Sequence, residues 1–249
     1  MFLLLLHFRK NHLQLGILQG MLLFAIVLFS CNSSPVQKTA KPSKKKLEAV
    51  DLIPDSVTSP EQALDFVKEG YNRYLSGRFE HIHIKRVTGE SDEQQDPFVA
   101  IITCKDFSIP PEILFDLDKK NLLVLETPAN TETAAIINIV QTSVSERALK
   151  LILILGHSNC ETIRESIFNS SNDLPVDLKT KITRSIPAGV ADTSKLLANT
   201  TIKNISQTIS RITAQHAQLD LLVKKGTLKI AGAYYDAEAG ELTFNDDFE

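Results

Sequence analysis

The sequence predicts an α/β fold: a three-layer sandwich with a central, mostly parallel sheet, helices on both faces and a C-terminal strand at the edge. Three observations carry this. First, residues 98–104, 122–125 and 149–155 are almost unbroken apolar runs of strand length. Runs without in/out alternation suit strands buried on both faces. Second, segments of helix length separate or follow them, and strand-helix alternation implies a parallel sheet with covered faces. Third, the 249-residue chain is 43% apolar and 23% charged, with 10 Gly and 10 Pro, a globular composition.

Taken in order, Ser59-Pro60-Glu61-Gln62 supplies a hydroxyl N-cap, a first-turn proline and an acidic residue, which open a helix. Ala63, Phe66, Val67, Tyr71 and Tyr74 continue it at helical spacing, and Gly77 ends it. Residues 78–96 are polar and irregular. Phe98–Cys104 is the first strand and Leu122–Leu125 the second; Thr131–Arg147 has helix length; Leu149–Leu155 is the third strand and runs into Gly156. Cys160–Phe168 reads as helix, Val176–Ile186 as an amphipathic segment, and Ala198–Val223 as one or two helices. Leu228–Tyr235 is a strand, and the turn Asp236–Gly240 leads into Glu241–Phe244, an antiparallel hairpin at the sheet edge.

The first 58 residues differ in kind. Residues 1–30 contain no Asp or Glu, carry only Arg9-Lys10 as a basic pair, and become almost wholly apolar from Leu13 to Ser30. That is the pattern of a secretory signal. Leu28-Phe29-Ser30-Cys31 resembles a bacterial lipobox, which makes Cys31 a candidate lipidation site, although Phe29 is bulkier than the usual residue. A signal anchor retained in the membrane is the alternative. Residues 31–58 read as a flexible tether, rich in Ser, Pro and Lys over Asn32–Lys46, leaving 59–249 as the folded domain. The expectation is an exported bacterial cell-envelope protein held to a membrane by its N-terminal lipid or signal anchor.

Charge and cysteine usage exclude several classes. The net charge is −3 at pH 7, and without residues 1–30 it is −5, from 25 basic and 30 acidic side chains. No nucleic-acid partner is expected. Three cysteines in so long a chain exclude a disulfide scaffold. No internal repeat is visible.

Chemistry concentrates at two predicted strand ends. Cys104 closes the first strand and is followed by Lys105-Asp106; the third runs into Gly156-His157-Ser158-Asn159-Cys160. Ligands in open parallel sheets bind at strand carboxyl ends, so Cys104, Asp106, His157 and Cys160 can converge there. Two thiolates and an imidazole suit zinc. At this level two other readings stand: buried cysteines serving as small apolar residues, or a Cys104–Cys160 disulfide.

Cys104-Lys105-Asp106, Ile109–Asp116, Leu153–Cys160, Asn72-Arg73-Tyr74 with Gly77, and Gly226–Asp236 with Gly240-Glu241-Leu242 together resemble the β-class carbonic anhydrases, from about Glu61 to Phe244. The resemblance implies zinc held by Cys104, His157 and Cys160, with water or Asp106 in the fourth position. It implies zinc-dependent interconversion of CO2 and bicarbonate, Asp106 as the catalytic residue orienting the attacking oxygen, and a homodimer or higher homo-oligomer. Departures matter. The family pattern Cys-x-Asp-Ser-Arg reads here Cys104-Lys105-Asp106-Phe107-Ser108, so the arginine that holds the aspartate off the metal is missing. Serine cannot supply a cationic fork. Asp106 is then expected to bind zinc directly and close the site, unless Lys105 or Arg164 replaces the cation. The family's Arg-Asn-Ala-Gly-Asn segment is Glu126-Thr127-Pro128-Ala129-Asn130, and Glu161 replaces a glycine after the second cysteine. These changes are expected to weaken the activity; the alternative is a catalytically inactive zinc-binding lipoprotein acting as a binding or structural module.

Other candidates read blandly. His81 and His83 belong to a surface loop, Asn199 and Asn204 to a helix surface despite their glycosylation pattern, and His216 to a solvent-facing helix position.

Overall fold

The computed structural model of the chain describes residues 57–80, 96–146, 149–168 and 174–245. The proposed leader, Cys31, the tether up to residue 56, and His81 and His83 lie outside the described residues. No described helix is long and apolar enough to cross a membrane.

Among the described residues, α1 (Pro60–Ser76), β1 (Val99–Cys104), α2 (Pro111–Leu114), β2 (Leu122–Thr127) and a 3-10 turn (Pro128–Asn130) come first. Then come α3 (Ala134–Glu146), β3 (Leu151–His157), α4 (Glu161–Phe168), α5 (Val176–Thr183), α6 (Thr193–Gln215), α7 (Ala217–Lys224), β4 (Lys229–Asp236) and β5 (Glu241–Phe244). The sheet order is β2-β1-β3-β4-β5. The first three pairings are parallel and β4–β5 is antiparallel. β5 is an edge strand, as the hairpin reading expects.

Alternation of side chains sorts the core into two layers. Val99 and Ile101 of β1 and Leu151, Leu153 and Leu155 of β3 pack against Ala63, Leu64, Val67 and Tyr71 of α1 and Leu114 of α2. Ala100, Ile102, Ile152 and Ile154 face the other way, onto Ile137 and Val140 of α3 and Ile205 and Ile212 of α6. Every residue of β1 and β3 is buried, which explains why neither shows a two-residue hydropathy period.

Local chemistry sets the ends of α1. Ser59 and Gln62 form a reciprocal capping box, and Gly77 closes the helix at φ 66°. Gly70 lets α1 touch the segment after α2: a Cβ there would lie 1.8 Å from the Phe115 carbonyl oxygen. Tyr71 donates its hydroxyl to Gly240 O at 3.0 Å and accepts from the Leu242 N–H at 2.9 Å, tying α1 to the β4–β5 turn.

The region read as one or two helices is two. α6 and α7 meet at His216, whose φ of −126° and ψ of 81° interrupt the helix. His216 is thus a junction residue, not a solvent-facing position within a helix. Asn204 also corrects its reading. It is fully buried, and its amide donates to Ala129 O at 2.8 Å; Asn199 is exposed as expected.

Candidate metal centre

β2 and β3 flank β1 on opposite sides, so chain direction diverges at β1. That topological switch opens a crevice at the strand carboxyl ends. Cys104 is the last residue of β1 and His157 the last of β3. Cys160 follows after the tight turn through Asn159, which adopts φ 59°. One ligand atom from each of Cys104, Asp106, His157 and Cys160 fits within a 4.8 Å cluster.

The pairwise distances resemble those of a tetrahedral ion. Cys104 and Cys160 are free thiols with Sγ atoms 3.4 Å apart. Two thiolates on one zinc at about 2.3 Å would stand about 3.8 Å apart. His157 Nε2 and Asp106 Oδ1 are 3.1 Å apart, against about 3.3 Å for nitrogen and oxygen on the same ion. The donor set therefore fits zinc, with two soft sulfurs, one imidazole and one carboxylate.

Backbone groups orient the ligands. His157 Nδ1 donates to the Ser158 carbonyl at 2.8 Å, which turns Nε2 toward the cluster. The Ala129 N–H lies 3.1 Å from Cys104 Sγ and donates to it. Ala129 reaches that position at φ 53°, a left-handed conformation costly for a residue with a Cβ. Asp106 points Oδ1 at His157 while Oδ2 accepts from the Glu161 N–H at 2.7 Å. Phe107 packs on His157 with centroids 5.4 Å apart and on Tyr235 at 5.7 Å.

Burial and mutual contact polarise the metal-free cluster. The Cys160 thiol donates to Cys104 and, despite burial, helps lower Cys104 to about 6; His157 adds to the effect. The same contact and burial push Cys160 far above an ordinary thiol. Burial disfavours charge on His157, but its contacts with Asp106 and Cys104 prevail and raise it to about 9. Asp106 resists burial through hydrogen bonds with His157, Cys104 and the Glu161 amide, which hold its carboxyl well below the usual range.

Neither proposed replacement for the missing arginine reaches Asp106 among the described residues. Arg164 points to Asn159 at 3.5 Å and to Glu161 at 3.5 Å, and no ion pair joins Lys105 to Asp106. The Glu161 side chain is 62% exposed and turns to Arg164, while its amide donates to Asp106. Sequence reading missed the Glu161, Ala129 and Ser158 backbone contacts and the Phe107 packing. One of them had a signal: a helix opening directly after Cys160 leaves free N–H groups at its start.

The family model for carbonic anhydrase matches residues 99–242, more than half of the chain. Carbonic anhydrase 2 of Mycobacterium tuberculosis is 24% identical over 197 residues, which cover 76% of this chain and 94% of that one. Among solved structures, the β-carbonic anhydrase CafA of Aspergillus fumigatus aligns with a TM-score of 0.55 at 18% identity, covering 62% of this chain and 78% of its own. One from a study of two tetrameric β-carbonic anhydrases of Sordaria macrospora aligns at 0.53 and 15%, covering 74% and 94%. The matched segment starts on the first strand, spans both halves of the Cys104/His157/Cys160 cluster and ends in β5, and the sheet beneath it has the same fold as those structures: the chain belongs to the β-carbonic anhydrase family.

Proposed function

We propose that the domain catalyses the reversible hydration of CO2 to bicarbonate at a zinc ion held by Cys104, His157 and Cys160, and that Asp106 limits its rate. The single observation that carries this reading is the convergence of those donors with Asp106 at the β1/β3 switch point. Zinc supplies Lewis acidity that lets water lose a proton near neutral pH. The chain's own residues do the rest. The Ser158 carbonyl fixes His157 so that Nε2 faces the cluster, and the Ala129 amide stabilises negative charge on Cys104. Phe107 walls one side of His157 from solvent. Asp106 is the hydrogen-bond acceptor that orients the attacking oxygen, and its carboxylate is kept ionised by the contacts described above.

Asp106 also explains why turnover should be slow. Its Oδ1 already points into the ligand set, and no cation among the described residues draws it away. Four protein ligands close a zinc site; an open site needs one to leave. The test is stopped-flow CO2 hydration by zinc-loaded protein, with Ser108→Arg beside wild type. The expected result is measurable wild-type turnover that rises about tenfold or more with the arginine. A wild-type rate equal to buffer from neutral to mildly alkaline pH rejects catalysis.

The same Asp106 geometry favours a second reading, a zinc-stabilised binding module without turnover. Inert wild-type protein with tightly held zinc would support it. The Leu28–Cys31 lipobox resemblance supports export and anchoring at the bacterial cell envelope, and metabolic labelling with a fatty acid in a Cys31→Ser comparison tests it. The tetrameric assemblies named for the Sordaria relatives support a homo-oligomer here; sedimentation of the folded protein tests that.

A further inference from the structure

On the α1 side of the sheet, the carboxyl ends of β1 and β2 and the segment entering α2 enclose an open pocket of about 400 Å3. Thr103, Val124 and Glu126 line its floor, and Phe107, Ser108, Pro110, Pro111 and Glu112 line its walls. Thr103 and Glu126 are register partners across β1 and β2. Phe107 lines this pocket and packs on the His157 ring, so the pocket lies beside the metal cluster, none of whose four donor residues lines it.

Two features mark it as a binding site. Thr103 is 1% exposed, lines the pocket, and its hydroxyl has no hydrogen-bond partner. A buried hydroxyl left unpaired is costly, and natural structures rarely tolerate one without a ligand or water. Around it, Glu112 and Glu126 make no ion pair with any described residue. Ser108 adds a second hydroxyl to the lining, and the rest of it is apolar: Phe107, Val124 and two prolines.

We propose that this pocket binds a small organic cation, an alkylammonium or guanidinium group. The charged head meets Glu112 and Glu126, its N–H groups donate to Thr103 and Ser108, and its alkyl part lies on Phe107 and Val124. The apolar wall favours an organic cation over a bare divalent ion, which would use oxygen donors alone. The proposal does not rest on turnover at the metal cluster, and its test reads ligand binding alone.

The probe is butylammonium, with butanol as the neutral isostere, titrated into the full zinc-loaded chain and followed by saturation-transfer NMR on the ligand. Butylammonium should bind saturably and butanol should not. The double variant E112Q/E126Q should weaken butylammonium about tenfold, because two partly exposed charge contacts are lost. Thr103→Val, which keeps shape and charge, should weaken it about threefold. Absence of saturable butylammonium binding overturns the proposal. So does equal binding of butanol, or an affinity unchanged in E112Q/E126Q. If E112Q/E126Q does not fold, as read by circular dichroism and zinc content, Thr103→Val with butanol as the control decides alone.

Discussion

Zinc uptake should expel about two protons at pH 7, and the number should change with pH in a set pattern. Zinc takes thiolates and neutral imidazole, so every proton resident on its ligands must leave. In the metal-free cluster Cys160 is a thiol at all ordinary pH values because the neighbouring Cys104 and burial oppose its ionisation; it contributes one proton. His157, raised to about 9, is imidazolium at pH 7 and contributes a second. Cys104, lowered to about 6, is about nine-tenths thiolate and contributes about a tenth. Asp106 is already ionised and contributes none. The logarithm of the zinc association constant should then rise with pH at a slope equal to the protons released: about three at pH 5, where Cys104 is protonated, two at pH 7, and one at pH 10, after His157 has lost its proton. Isothermal titration of zinc in buffers of different ionisation enthalpy counts the protons directly, and chelator competition across pH gives the slope. A slope near zero at pH 10, the value expected for two ordinary thiols and an ordinary imidazole, would refute the Cys104–Cys160 coupling that keeps Cys160 protonated.

Phe107→Ala should lower zinc affinity in chelator competition by several-fold, since His157 loses the ring that packs against it, while leaving the secondary structure seen by circular dichroism unchanged. Gly70→Ala should destabilise the domain by about 2 kcal/mol or more in urea unfolding, because the new Cβ would lie 1.8 Å from a backbone oxygen that cannot rotate away. Glu132→Gln should cost about 2–3 kcal/mol in the same assay: Glu132 is 3% exposed and neutralises both Arg211, at 2.8 and 3.0 Å, and Lys181, at 3.0 Å. A loss below 1 kcal/mol would mean that water replaces the carboxylate.

Legibility in the sequence followed the range of the interactions. α1 was readable at both ends because its capping box and its glycine stop are local. The buried strands were readable because β1 and β3 are covered on both faces and must be apolar throughout. The α6–α7 break was not, since His216 carries no helix-breaking signal of its own. Asn204 misled because its neighbours look like an exposed helix, whereas the partner that satisfies its amide, Ala129 O, lies 75 residues away.

For the metal centre, residue chemistry offered two cysteines, a histidine and an aspartate placed where strands end, and the family resemblance chose zinc over a disulfide or plain core cysteines. It also exposed the lost arginine at Ser108. What folding alone decided is where the aspartate goes and what holds it. Asp106 Oδ1 meets His157 across 51 positions and Oδ2 meets the Glu161 amide across 55. The side chain of Glu161, a second negative charge by sequence, swings out to Arg164, and only its N–H serves the site. The reason is physical. A residue's type sets which bonds it can make, but a carboxylate chooses among partners by distance and direction, and those exist only once β1 and β3 lie side by side.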